Sequence, residues 1–179
     1  YYSVSTDILG ALIEKISGIS LTNYLSKNIF EPLGMNDTFF EVPTNKQDRF
    51  LPNHTYNRNK NQLETIQNDS FRITDFDSGG GGLISTAYDY MIFAESLRNG
   101  GEFKGKRILG EKTLKYMVKN HLPPTVSGIG RGESPTDPSV AARTFGLGFG
   151  ISNNPPVASV IGSKGCLLYT SPSPRDKSS

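Results

Sequence analysis

The chain has 179 residues, with 19 Lys+Arg against 17 Asp+Glu, a formal net charge of +2, one Cys and no Trp. That balance gives no electrostatic reason to expect nucleic acid or an anionic membrane surface as a partner. No run approaches the ~18 apolar residues of a membrane-spanning helix, and a lone Cys cannot form an internal disulfide. The hydrophobic share of 35%, with 19 Gly besides, excludes disorder for the bulk of the chain, and the length predicts one domain or part of one.

Ile8, Leu9, Leu12, Ile13 and Ile16 recur at helical spacing, so a first helix is predicted with these residues inward, Thr6 or Asp7 capping its start and Gly18 ending it. Ser20 can cap a second helix, with Leu21, Tyr24, Leu25 and Ile29 inward and Pro32 as its stop. Thr38 to Val42 reads as a short strand, and His54–Asn57 with Leu63–Ile66 as a hairpin around Arg58-Asn59-Lys60-Asn61. After Ser78 and the four glycines Gly79 to Gly82, Thr86 and Asp89 have capping-box spacing before a third helix. Ala87, Tyr90, Met91, Ala94 and Leu97 form its expected buried stripe, and Asn99-Gly100-Gly101 its end. A fourth helix is predicted over about Glu111 to Asn120, with Leu114, Met117 and Val118 inward and Pro123-Pro124 closing it. Thr125 to Ala141 is loop-like. Phe145 to Ile151 alternates Gly with larger residues, as in a strand passing close to another backbone, followed by a turn at Asn153 to Pro156 and a return strand over Val157–Ile161. Helices precede the strongest strands, which predicts an α+β fold.

Few residues carry chemistry by themselves. Asp75 and Asp77 before the glycines do not make a calcium loop, because the twelfth position is Thr86 rather than Glu. The glycines lack the Gly-Lys-Ser/Thr of a phosphate loop, so a tight turn allowing close backbone approach explains them better. His54 and His121 have no ligand partners at metal spacing. Neither a metal nor a cofactor is expected.

Three stretches point further: Tyr2-Ser3-Val4-Ser5-Thr6-Asp7-Ile8-Leu9-Gly10, the run Ile29-Phe30-Glu31-Pro32-Leu33-Gly34-Met35 with Asp37-Thr38, and Gly79 to Thr86 with Asp89. Together with Asn99-Gly100-Gly101 and Phe145 to Gly150, they resemble the β-lactamase-related serine hydrolases, a superfamily of class C β-lactamases, D-Ala-D-Ala carboxypeptidases and carboxylesterases. The resemblance implies a β-lactamase/transpeptidase-like α+β fold, with a helical subdomain packed on an antiparallel sheet that is incomplete here. It also implies an acyl-enzyme formed on a Ser of an upstream Ser-x-x-Lys box, acting on a small-molecule ester, amide or peptide. Tyr2 matches the Tyr of the second box, a proton-transfer residue, and Gly80 and Gly81 match a substrate-binding stretch. Val4 stands where the lactamases and peptidases carry Asn, which favours the esterase-like branch. The rival reading is a non-catalytic penicillin-recognising scaffold, which would lack Ser-x-x-Lys.

The chain opens without Met. From Cys166 to Asp176 its residues resemble a translated transposon-end sequencing adapter, immediately after Ile161 to Gly165, which resembles the approach to the family's third box. The expectation is therefore that residues 1–165 are the central part of one domain truncated at both ends, and that 166–179 form an irregular, exposed tail. Phe145, Leu147, Phe149 and Ile151 are expected to lie on a small sheet short of its neighbours.

Overall fold

In a computed structural model, residues 3–66, 76–126, 143–154 and 167–168 are described. The chain divides into two compact units, Tyr1–Ile108 and Leu109–Ser179. Helices and small antiparallel sheets make the fold α+β, as the sequence implies.

The first unit opens with α1 (Ser3–Ser17), which starts earlier than predicted and leaves Thr6 and Asp7 inside the helix. Gly18 ends it at φ 75°, the left-handed position where glycine has no steric penalty. Ser20 caps α2 (Leu21–Leu25) by accepting the Asn23 N–H. Pro32 does not stop this helix. A π turn (Ser26–Phe30), in which the Glu31 N–H reaches back to the Ser26 carbonyl, widens the backbone just before the proline. The chain continues through α3 (Glu31–Leu33) to Gly34 at φ 72°. The Gly34 N–H bonds to the Glu31 carbonyl and the Met35 N–H to that of Phe30, the two bonds of a Schellman end.

Thr38 to Val42 is not a strand. Phe39 makes a single antiparallel bridge with Ile84, and a 3₁₀ turn (Thr44–Arg49) follows. The predicted hairpin is present as β1 (Asn53–Asn57) and β2 (Gln62–Ile66), its loop closed by the Asn57 carboxamide, which accepts the Asn59 and Lys60 N–H groups. In the helix α4 (Ala87–Arg98), Thr86 caps the start as read, its Oγ1 accepting the Asp89 N–H. The helix ends at Asn99, and a hairpin that the sequence reading missed follows: β3 (Glu102–Phe103) and β4 (Lys106–Arg107). Its two-residue loop puts Lys104 at φ 47° and Gly105 at φ 77°, the pair of positive values that a type I′ turn requires.

The core of this unit is Phe30, Leu33, Met35 and Ile92, with Leu25, Ile29, Phe93, Phe103 and Ile108 packed against it. Two helices present a face other than the one predicted. In α4 the buried residues are Asp89, Ile92, Ser96 and Leu97, while Met91 and Tyr90 are exposed. In α1, Ile8, Leu12 and Ile16 are 63%, 49% and 76% exposed, and Gly10 is the buried position. Leu97 alone of the stripe predicted for α4 is buried.

In the second unit α5 (Glu111–Met117) buries Leu114, as expected. Phe145 to Ile151 is not one strand. β5 (Arg143–Phe145) and β6 (Gly150–Ser152) form a hairpin, and Gly146 to Phe149 is its turn, with Gly148 at φ 92°. The close approach foreseen from the glycines is at Gly146, where a Cβ would lie 2.3 Å from the Met117 carbonyl oxygen. Ile151 is buried rather than left without neighbours. β7 (Leu167–Leu168) pairs with Ile151 and Gly150 on the far edge of β6, so this part of the expected tail is a strand. Ladder pairing uses backbone N–H and C=O groups that every sequence supplies, so a free strand edge can recruit a segment of any composition. Residues 155–166, including the return strand predicted over Val157–Ile161, lie outside the described residues.

Asp37 ties the 3₁₀ turn to the end of the α2–α3 segment. Arg49 grips it with both terminal nitrogens at 3.0 and 3.1 Å, and Lys46 Nζ lies 2.7 Å from Oδ1. Hydrogen bonds from Arg49 first, and from Lys46, lower its pKa from 3.8 to about 2. A carboxylate with a depressed folded-state pKa contributes stability above its unfolded value and loses it as pH falls through the folded one. Thermal stability followed by circular dichroism should therefore decline between about pH 4 and pH 2. Glu95, held near 2 by Arg98, contributes in the same window. Asp37→Asn should flatten the decline in part, and an unaltered slope would remove Asp37 from this account.

Candidate active site

The glycine stretch is built into the first unit from both sides. On one side the Asp7 carboxylate of α1 accepts from Ser78 Oγ at 2.7 Å and from the Gly80 N–H at 2.9 Å. On the other, the Asp77 carboxylate accepts from the Thr22 N–H at 3.1 Å and from Thr22 Oγ1 at 2.8 Å, satisfying donors in the first turn of α2. Asp77 is thus engaged as a helix anchor; Asp75 lies outside the described residues. Within the turn, the Gly82 N–H bonds to the Ser78 carbonyl at 3.0 Å.

The glycines are required by contact. A Cβ on Gly79 would lie 2.6 Å from the Thr6 carbonyl oxygen and 3.6 Å from Gly10 Cα, so only a bare backbone can lie so close to α1. A Cβ on Gly82 would press on Phe40 at 3.0 Å. Gly81 differs: nothing lies within 4 Å of the position its Cβ would take, and the residue is exposed. Of the two glycines matched to substrate binding, Gly80 has its N–H on Asp7 and Gly81 faces open space.

These contacts explain the orientation of α1. Asp7, Gly10 and Glu14 face the body of the unit, Glu14 Oε1 accepting the Leu21 N–H at 2.7 Å. Ile8, Leu12 and Ile16 lie on the opposite side and are exposed, while Ile13 is half-buried. Tyr2 itself lies outside the described residues, as does Lys164; in the chain Tyr2 directly precedes Ser3, the first residue of α1. The glycine stretch is therefore held against the opening turns of the helix that Tyr2 leads into, an association that the spacing of the residues, more than seventy positions apart, does not reveal.

Past the glycines, Asp89 performs a second anchoring. Its Oδ2 accepts the Asp37 N–H at 2.7 Å and Thr38 Oγ1 at 2.9 Å, and the residue is 3% exposed. The sequence reading placed this carboxylate in a local capping box; it reaches across to the Asp37–Thr38 turn instead. His121 has its Nε2 2.8 Å from the Tyr116 carbonyl and its ring edge-on to that tyrosine, and His54 lies in β1. Among the described residues no cluster of His, Cys, Asp or Glu could hold a metal, and no helix is long and apolar enough to cross a membrane.

Comparison with known proteins gives the family. A putative D-alanyl-D-alanine carboxypeptidase of Salmonella heidelberg is 25% identical over 179 residues, covering 90% of this chain and 37% of that protein. Protein Rv1367c of Mycobacterium tuberculosis is 27% identical over 156 residues, 86% of this chain and 38% of its own length. Among solved structures, a simvastatin synthase (LovD) variant from Aspergillus terreus matches 82% of this chain and 38% of its own at TM-score 0.67 and 26% identity. EstCE1, a hydrolase with promiscuous acyltransferase activity, shares the fold at TM-score 0.73 and 21% identity, over 92% of this chain and 43% of its own. The chain thus spans a little over a third of the curated relatives it matches. The Beta-lactamase family model matches residues 1–172, from before Tyr2 through the glycine stretch and β7, and the chain belongs to that family.

Proposed function

We propose that the protein to which this chain belongs is a serine hydrolase that forms an acyl-enzyme on esters, amides or peptides, and that it lies on the esterase-like side of the family. The observation that supports this most is the anchoring of the glycine stretch, through Asp7, to the helix that Tyr2 precedes. The stretch matched to substrate binding is thereby held by the helix that begins one residue after the matched tyrosine in the sequence. Val4 in place of the amide of the peptidases, and 26% identity to a simvastatin synthase, favour the esterase side.

In this reading the hydroxyl of a Ser-x-x-Lys serine attacks the substrate carbonyl, and its proton passes by way of Tyr2 to the leaving oxygen or nitrogen. Water then attacks the acyl carbonyl, Tyr2 taking its proton and returning it to the serine oxygen as the acyl–serine bond breaks and the acid is released. Gly81 borders the substrate, its missing side chain leaving room for a bulky group. Residues 166–179 are read as an appendage that takes no part. The 179-residue chain contains no Ser-x-x-Lys, and it should be inactive by itself, since loss of the nucleophile in a serine-dependent enzyme costs about 10⁶ in turnover.

A fluorophosphonate probe tests this directly. The complete protein should be labelled stoichiometrically on a Ser-x-x-Lys serine upstream of Tyr2, and the 179-residue chain should not be labelled at all. A complete reading frame without that motif would establish the scaffold reading in place of the enzyme.

A further inference from the structure

We propose that Asp7 is a positioning residue whose carboxylate sets the place of the glycine stretch beside the helix that follows Tyr2. For its effect on turnover, and only for that, the proposal rests on the hydrolase reading above.

Three observations carry it. One carboxylate oxygen, Asp7 Oδ1, takes both the Ser78 hydroxyl and the Gly80 N–H, at 2.7 and 2.9 Å. These are charge-assisted bonds, roughly twice as strong as neutral ones, and they reach from the second turn of α1 to residues 71 and 73 positions later. Next, the contact they hold is as close as backbone permits, with Gly79 against the Thr6 carbonyl and Gly10. A loop seated this tightly is displaced as a whole if its anchor is lost. Finally, Glu14, two turns further along the same face of α1, accepts the Leu21 N–H at 2.7 Å, so this face of the helix is tied to the unit at two points. Asp77 holds the loop to α2 from the other side, through Thr22. Asp7 therefore decides how the loop sits against α1, and not whether it is held to the unit at all. In the sequence Tyr2 immediately precedes Ser3, the first residue of α1, so the loop that Asp7 holds lies against the helix directly following the matched tyrosine.

Amide hydrogen exchange on the 179-residue chain is the primary test. Asp7→Ala should speed exchange at Gly80 at least ~10-fold while Ile92 and Leu97 in α4 keep their rates. Asp7→Asn retains an oxygen acceptor without the charge; it should give a smaller but measurable acceleration, and it carries the test if the alanine variant does not fold. Unchanged exchange at Gly80 in either folded variant overturns the clasp. In the complete protein, Asp7→Ala should lower ester turnover by about 10–100-fold, the scale expected for a sub-ångström to ångström misplacement, with Asp7→Asn restoring most of it. Faster exchange with undiminished turnover in an active parent would overturn the positioning role. A parent that neither turns over an ester nor is labelled by a fluorophosphonate would remove the hydrolase reading, and the exchange rates alone would then decide the place of Asp7.

Discussion

Asp89→Ala should lower the unfolding free energy of the chain by about 2–3 kcal/mol, the range for removing a charged acceptor from buried donors. The carboxylate is almost fully enclosed and is the acceptor for the Asp37 N–H and the Thr38 hydroxyl. Thr38 keeps a second partner in Ser85 Oγ at 2.8 Å, so the greater loss falls on the Asp37 amide. That amide belongs to the residue whose carboxylate holds Arg49 and Lys46, so the substitution should also loosen the 3₁₀ turn over Thr44–Arg49. Asp89→Asn keeps the oxygen acceptor and should cost about half as much. In urea, the alanine variant should show a lower midpoint at an unchanged slope. A midpoint within error of the wild type would mean that water replaces the carboxylate without loss.

How far such contacts can be read from the sequence depends on their range. Three helix ends were legible because their signals are local: Gly18 takes the left-handed conformation that glycine adopts freely, and Ser20 and Thr86 cap the helices they precede. The family resemblance was legible because Ile29 to Met35 and the glycine stretch are contiguous. The buried faces of α1 and α4 were legible only in part: Leu97 is buried as expected, Met91 and Ile8 are not. Apolar periodicity points Ile8, Leu12 and Ile16 inward, but it has no means of knowing that Asp7 and Glu14 find donors at Ser78, Gly80 and Leu21. The same holds for α4, where the inward pull on Asp89 turns the helix by about one residue and exchanges Met91 for Ile92 in the core. The hairpin at Arg143–Ser152 was misread for another reason. Its turn, Gly146 to Phe149, keeps the apolar alternation of a strand, and Gly148 at φ 92° reveals itself only in the backbone. The Lys104-Gly105 turn carried a usable signal, a glycine in a two-residue loop between short polar strands, but strands of two residues leave no periodicity to detect.

Tyr2→Phe in the complete protein should reduce turnover of a chromogenic short-chain ester by about 10²–10⁴, the usual consequence of losing a general acid–base group. The substitution removes one oxygen and keeps the ring, so the unfolding free energy should stay within about half a kcal/mol of the wild type. The size of the effect follows from what the hydroxyl has to do. A phenol has an ordinary pKa of ~10 and is a weak base at neutral pH; bringing it near 7 takes roughly 4 kcal/mol of preferential stabilisation of the phenolate. A neighbouring ammonium is the natural source, and the Lys of Ser-x-x-Lys is the group that the family resemblance supplies. If the two act as one unit, Tyr2→Phe combined with loss of that lysine should cost little more than either change alone. The pH profile adds a sign. On the proposed mechanism the phenol has to be deprotonated to accept the serine proton, so the rate of the complete protein should rise with pH, and that limb should be absent in the residual activity of the phenylalanine variant. Undiminished turnover with a full acyl-enzyme burst would make Tyr2 a packing residue and leave proton transfer to the lysine alone.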